Sequence, residues 1–99
     1  MLTIEKTVEE NRITFALDGK LDTMTSPDLD AQIREVLDDV QELILDFSEL
    51  RYISSAGLRV LLATQQDLPD GGALKIINVD PVIMDILEVT GFSEILTIE

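Results

Sequence analysis

The sequence predicts a single α/β domain built on a mixed β-sheet. Apolar residues recur every second residue in some segments and every third or fourth in others, which indicates strands alternating with helices. The chain has 99 residues, so residues 1–99 form one domain. The predicted order is β-β-α-β-α-β-α-β, with a first strand pair that makes an otherwise parallel sheet mixed.

The first two strands are predicted to form a hairpin at one edge of the sheet. Leu2, Ile4 and Val8 indicate a short first strand, and residues 9–12 form a polar turn. Apolar residues then alternate with polar or small ones over residues 13–18, the pattern of a half-buried strand.

The first helix is predicted to begin at Ser26 as N-cap, with Pro27 at the first helical position. Its apolar face recurs at helical spacing up to Val40. The unbroken apolar run 43–45 that follows predicts a central strand covered, at least in part, on both faces.

The second helix is predicted to begin near Ser54 and Ser55, and a turn at 70–72 to end it. A strand follows over residues 74–79. Asp80 and Pro81 open the third helix, Gly91 ends it, and residues 95–98 form a last strand. The side chains expected in the core include Ile44, Leu45, Leu61, Leu62 and Ile86.

Composition excludes several kinds of chemistry. The chain has no cysteine and no histidine, so it offers no thiolate nucleophile, no Ser-His-Asp triad and no common metal ligand other than carboxylates. No G-x-S-x-G motif surrounds Ser55. We therefore expect no enzyme activity, no cofactor and no metal. The spacing of four acids near the first helix fits solvated carboxylates better than a cation loop: Asp18, Asp22, Asp28 and Asp30.

Charge and hydropathy also limit the partners. Seven Lys and Arg against twenty Asp and Glu give a net charge of −13, which disfavours binding to nucleic acid or to anionic membranes. The N-terminus has no apolar run of signal-peptide length, and no run approaches the ~18 residues of a membrane span. We expect a cytoplasmic protein.

The most informative segment runs from Asp46 to Arg59, out of the central strand and into the second helix. A phosphate on a serine at a helix start is favoured by free backbone N–H groups and the helix dipole. Ala56 and Gly57 are small and leave the backbone approachable. The alternative interpretation is that the serines only cap the helix and the glycine only packs.

Four short motifs are informative when their order and spacing are taken together. They are Gly19-Lys20-Leu21-Asp22, Asp46-Phe47-Ser48, residues 52–58, and Thr90-Gly91-Phe92, with Gly72 and Leu74 between the last two. Their order and spacing over nearly the whole chain resemble the STAS family, specifically bacterial anti-sigma factor antagonists.

The resemblance implies a partner switch. Unphosphorylated members bind an anti-sigma factor that is also a serine kinase of the GHKL type, which frees the sigma factor. The kinase then phosphorylates one serine, and a PP2C-type phosphatase reverses the modification. The aligned serine is Ser55; Ser54, which stands where the family often has Asp, is the second candidate.

The loop after the second strand is expected to lie near the start of the second helix. The predicted partner-binding surface combines the two segments: Asp22, Thr23, Thr25, Ser54, Ser55, Ala56, Gly57 and Arg59. Two alternatives stay open. One is a STAS scaffold or adaptor in another signalling or transport complex, in which Ser55 is not modified; the other is a small-molecule binder using the loop before Ser55.

Overall fold

Five strands and three α-helices make up the computed structural model, which describes residues 1–99. In chain order they are β1 (Leu2–Glu9), β2 (Arg12–Leu21), α1 (Ser26–Val36), β3 (Glu42–Ile53), α2 (Ser55–Asp67), β4 (Ala73–Ile77), α3 (Pro81–Val89) and β5 (Thr97–Ile98). A short 3-10 helix, Phe92–Glu94, precedes β5. This is the predicted order of elements.

The strands lie side by side in sequence order, β1-β2-β3-β4-β5. β1 is antiparallel to β2 and all other neighbours are parallel, which confirms the mixed sheet. Because the order always advances in one direction, right-handed crossovers place all three helices on the same face of the sheet.

The core therefore lies between that face and the helices. Phe15, Leu45 and Ile76 stand in register on β2, β3 and β4 and are fully buried. The prediction that β3 is a central strand is confirmed, because it is the middle strand of five. Ile44 points to the opposite, open face and is only half-buried, so the predicted partial cover on the second face is wrong.

The predicted core is confirmed for Leu45 and Leu61, which are completely buried. It is wrong for Ile44 and Leu62, which are half-buried; Ile86 is half-buried and packs against the core. Apolar periodicity locates the face of a helix to within about one residue. On α2, Leu61 is buried and its neighbour Leu62 is half-buried; on α3, Leu87 is buried and its neighbour Ile86 is half-buried.

The three helices begin where predicted, at Ser26, Ser55 and Pro81, but the predicted N-cap is confirmed only for α2 and α3 and is wrong for α1. Ser54 and Asp80 are the N-caps of α2 and α3, and Gly91 follows α3 at a φ of +83°. The N-cap position of α1 is Thr25. Ser26 lies inside the helix, and its hydroxyl is buried without a hydrogen-bond partner.

Further boundaries differ from the prediction, including the end of α1, which lies at Val36 and not at Val40. β4 ends at Ile77 because Asn78 adopts a φ of +58°, outside the strand region. The last strand has two residues, not four, because the 3-10 helix takes up the preceding chain. The 70–72 turn is confirmed, with Gly71 at a φ of +85°. No helix here combines the length and the apolar character that crossing a membrane requires.

Candidate functional site

The candidate site forms where β2 and β3 end next to each other. Leu21 pairs with Ile53 at the last position of both strands, and the Ser54 N–H donates to the Leu21 carbonyl oxygen at 2.9 Å. The chain leaves β2 at Asp22 and β3 at Ser54. The loop after the second strand and the start of α2 are therefore neighbours.

The two serines have different surroundings. Ser54 is the N-cap of α2, with extended backbone at φ −99° and ψ 176°, and its Oγ accepts the Gly57 N–H at 3.4 Å. Ser55 is the first helical residue, and its side chain is exposed and makes no hydrogen bond. Of the two hydroxyls, only that of Ser55 is without a hydrogen-bond partner.

Gly57 brings the start of α2 against the end of β2. A Cβ built there would lie 2.8 Å from Ile53 Cγ1, 2.9 Å from Leu21 Cγ and 3.0 Å from the Leu21 carbonyl oxygen. Contacts this short require the neighbours to move, so the position favours glycine for packing. This close approach fixes the distance between the serines and the β2–α1 loop.

The β2–α1 loop is held by its own side chains. Asp22 Oδ1 accepts the N–H groups of Met24 at 2.9 Å and of Thr25 at 3.0 Å. The Thr25 hydroxyl accepts the Asp22 N–H at 2.9 Å and donates to the Lys20 carbonyl at 2.8 Å. The bond from the Thr25 N–H is the main cause that lowers the pKa of Asp22. Asp22 and Thr25 therefore shape the loop.

Three exposed residues flank the serines and the loop. Thr23 is exposed at the tip, and the neighbouring Met24 is 84% exposed. Tyr52, two residues before the N-cap, is 47% exposed. Met24 and Tyr52 were not among the predicted partner-binding residues. Two sequence signals could have identified them. Met24 is an apolar residue inside a polar loop, and Tyr52 is the only tyrosine of the chain.

Arg59 is the only basic residue on α2. It lies four residues after Ser55, so the two side chains share one face of the helix. Arg59 is exposed and forms no ion pair. The other three arginines do, each with a carboxylate at 3.0 Å or less: Arg12, Arg34 and Arg51.

The acids near α1 do not gather around one point. Asp30 lies 3.4 Å from Arg34, and Asp22 is engaged by its own loop. The structure contains no group of three or more acidic side chains arranged to hold a metal ion. None of its surface concavities is lined by Ser54 or Ser55; the largest lies at the opposite end of the sheet, around Arg12 and Glu42.

The neighbouring β2–α1 loop and start of α2 belong to a chain that matches a known family. Residues 3–99 match the STAS domain family. The chain belongs to that family, and the family resemblance of the sequence motifs is confirmed.

Individual relatives agree with this assignment. The chain is 30% identical over 96 residues to BtrV of Bordetella bronchiseptica, named as an anti-sigma factor antagonist, covering 95% of this chain and 81% of that protein. The crystal structure of an anti-sigma factor antagonist from Mycobacterium paratuberculosis superposes with a TM-score of 0.91 at 22% identity, covering 99% of this chain and 85% of that chain.

A third similar protein is known in two states. SpoIIAA from Bacillus superposes with TM-scores of 0.77 in its unphosphorylated form and 0.76 in its phosphorylated form. Identity is 20% in both cases, all of this chain is covered, and 87% and 91% of the two SpoIIAA chains are covered. The fold is therefore shared with a protein that exists with and without a phosphate.

Proposed function

We propose that this protein is an anti-sigma factor antagonist switched by phosphorylation of Ser55. In the unphosphorylated form it binds an anti-sigma factor that is also a GHKL-type serine kinase, and the sigma factor is released. Phosphorylation of Ser55 ends the binding, and a PP2C-type phosphatase restores it. The chain itself catalyses no step. Its partners act on transcription and use ATP, so the proposal places it in the cytoplasm.

The single observation that supports this most is the difference between the two serine hydroxyls. Ser54 is held as the N-cap, whereas Ser55 is exposed and free of hydrogen bonds at the first position of α2. The family resemblance selects the same serine, and BtrV carries the name of this function. The β2–α1 loop beside it supplies a shaped surface that a partner can contact.

The physics of the switch follows from that position. A phosphate adds about −1.5 to −2 charge at pH 7. At an exposed helix N-terminus such a charge is stabilised by ~0.3–1 kcal/mol, so the fold tolerates it. Inside a partner interface the same group is bulky and must lose its water, which costs several kcal/mol. Since about 1.4 kcal/mol is tenfold in affinity, local repulsion is enough to release the partner.

The test uses a GHKL-type serine kinase from the organism that carries this protein. The purified kinase and ATP are incubated with wild type, Ser55→Ala and Ser54→Ala, and the products are analysed by intact mass and site mapping. We expect one phosphate on wild type and on Ser54→Ala and none on Ser55→Ala. Calorimetry should show that Ser55→Ala binds the kinase and that Ser55→Asp binds at least about tenfold more weakly.

Other outcomes identify the alternatives. Phosphate on Ser54 would move the switch by one residue and overturn the assignment to Ser55. Kinase binding without phosphorylation, or no binding at all, would favour a STAS scaffold or adaptor in another complex. Saturable binding of a nucleotide by the free protein at the loop before Ser55 would favour the small-molecule alternative.

The contact surface is tested separately. We propose that Asp22, Thr23, Thr25, Ala56, Gly57 and Arg59 belong to the kinase-binding surface together with the two serines. Thr23→Ala removes an exposed side chain without disturbing the loop, so it reports on direct contact. Asp22→Ala removes the loop's hydrogen bonds, so it reports on loop shape. Wild-type binding and phosphorylation of both variants would remove the β2–α1 loop from the surface.

A further inference from the structure

Arg59 has no carboxylate to pair with on its own helix. The positions that its side chain can contact on α2 lie three and four residues away: Ser55, Ala56, Leu62 and Ala63. Ser55 is the only polar residue among them. Asp67, the one acid of α2, lies at the far end of the helix and pairs with Arg34. Arg59 therefore stays exposed and unpaired in a chain with twenty acids and seven bases.

The geometry of the helix directs Arg59 towards Ser55. The Cα–Cβ bonds of an α-helix tilt towards its N-terminus, so a long side chain covers the turn that precedes its own position. For Arg59 that turn begins at Ser55, whose exposed hydroxyl makes no hydrogen bond. Cβ atoms four residues apart on a helix are about 5–6 Å from each other. A group bonded to Ser55 Oγ is thus within reach of the Arg59 guanidinium.

Phosphoryl transfer uses positive charge at such a place. The γ-phosphorus of ATP forms a bond to Ser55 Oγ and its bond to the bridging oxygen of ADP breaks, while the hydroxyl proton passes to a base of the kinase. The charge of the transition state is spread over three equatorial oxygens, and catalysis depends on positioning and electrostatic stabilisation. A guanidinium binds two of these oxygens at once through parallel N–H groups.

We propose that Arg59 is a catalytic residue for the phosphorylation of its own chain, because its guanidinium contacts the phosphoryl group during transfer to Ser55. This inference rests on the proposed function and gives Arg59 a role in the chemical step, beyond contact with the kinase. The cation is at a fixed place only while α2 is formed. The pair of Ser55 and Arg59 therefore also selects the folded protein as the substrate.

The test is single-turnover kinetics, which separates the chemical step from product release, the step that limits many enzymes. A GHKL-type kinase in excess, with saturating ATP, phosphorylates the full chain over a range of kinase concentrations. The rate constant at saturating kinase reports the chemical step, and the half-saturating concentration reports binding. We expect Arg59→Gln to lower that rate constant at least about tenfold. The half-saturating concentration should change by less than about fivefold, as for an exposed ion contact.

Further variants test the role of the guanidinium. Arg59→Lys keeps the charge but cannot bind two oxygens in the same way, so its rate constant should lie between wild type and Arg59→Gln. Guanidinium ion added to Arg59→Ala should restore part of the rate constant without accelerating wild type. Lys6→Gln is the matched control, since it removes one positive charge from an exposed, unpaired position on β1; it should react like wild type. Amide spectra establish that each variant is folded.

Several results would overturn the proposal. They are an unchanged rate constant in Arg59→Gln, a loss confined to the half-saturating concentration, and an equal loss in Lys6→Gln. Lack of rescue by guanidinium would assign Arg59 a structural role instead. The proposed function is judged by a different result, the phosphate on wild-type Ser55. If wild type is phosphorylated there and Arg59→Gln reacts as fast, the switch stands and this inference fails; if wild type is not phosphorylated there, both fail.

Discussion

At the scale of single residues, Ser54 and Ser55 are neighbours with separable roles. The Ser54 hydroxyl caps α2 through a long hydrogen bond of 3.4 Å. Loss of an N-cap costs 0.5–2 kcal/mol, and the long bond argues for the lower part of that range. We expect Ser54→Ala to lower the free energy of unfolding by about 0.5–1 kcal/mol in urea denaturation. Ser55→Ala, the matched control, should leave it unchanged; equal losses would show that both hydroxyls support the helix.

Arg59 provides the second residue-scale prediction. An arginine four residues after a phosphoserine on one helix face favours the doubly charged phosphate, typically by about 0.3–0.5 kcal/mol for exposed pairs. Arg59→Gln should therefore raise the second pKa of phosphorylated Ser55, measured by phosphorus NMR. Arg12→Gln, at the opposite end of the sheet, is the control. The same titration in wild type and Arg59→Gln would show that Arg59 does not face the phosphate.

At the scale of the element, the β2–α1 loop should respond to acid. The loop N–H groups hold the pKa of Asp22 below its usual range. A carboxyl with a lowered pKa in the folded state stabilises the fold above about pH 4, and that contribution is lost as pH falls through the folded pKa. Below about pH 4, unfolding free energy should fall more steeply in wild type than in Asp22→Asn, whose amide oxygen still accepts both N–H groups.

Overall charge changes in the same pH range, so a control is required. Asp28→Asn removes an exposed acid at the start of α1 that makes no hydrogen bond. It should follow the wild-type acid profile apart from a uniform offset. If Asp28→Asn flattened the profile as much as Asp22→Asn, general repulsion would explain the effect, not the loop.

Helix α2 offers a test of the core. Leu61 is completely buried, whereas its neighbour Leu62 is half-buried. Leu61→Ala should lower the unfolding free energy by ~2–5 kcal/mol, the usual loss for a buried leucine. Leu62→Ala should cost less than about 2 kcal/mol, because part of that side chain is already in water. Equal losses in denaturant titrations would mean that α2 is rotated relative to the structure described.

Local sequence signals predicted the helix ends that are determined by a few neighbouring residues. Asp80 with Pro81 marks the start of α3, and Gly91 its end, because caps and left-handed glycines act over a few residues. The N-cap of α1 was predicted wrongly, because there Asp22 and Thr25 bond to the loop's own N–H groups and Ser26 is turned inward. A serine followed by proline looks the same in sequence whether its hydroxyl caps or is buried.

At the scale of the molecule, the sequence predicted the mixed sheet but not its open face. Leu43, Ile44 and Leu45 are all apolar, yet only the first and third face the helices. The covered face depends on strand order, and strand order is a long-range property that apolar periodicity does not encode. The same holds for the site: motifs identified Ser55 and Asp22, whereas the exposure of Met24 and Tyr52 depends on how β2 and β3 end together.

At the scale of the whole molecule, the position of Ser55 also determines how phosphorylation affects the fold. Ser55 is exposed at the first position of α2, where the backbone N–H groups have no intrahelical acceptor. A phosphate there meets favourable dipoles and displaces no buried side chain. We therefore expect amide NMR shifts between the unphosphorylated and phosphorylated protein to be confined to the start of α2 and the β2–α1 loop, residues 22–25 and 52–59. Signals of β4, α3 and β5 should not move.

The unfolding free energy at neutral pH should change by no more than the ~0.3–1 kcal/mol typical of a charge at a helix terminus, and in the stabilising direction. Ser55→Asp is the matched variant, with a smaller charge at the same site, and should produce shifts in the same places at lower amplitude. Shifts that extended into α3, or a marked destabilisation, would mean that the switch works by rearranging the domain. Partner release would then follow from a change of shape instead of from charge and bulk at the interface.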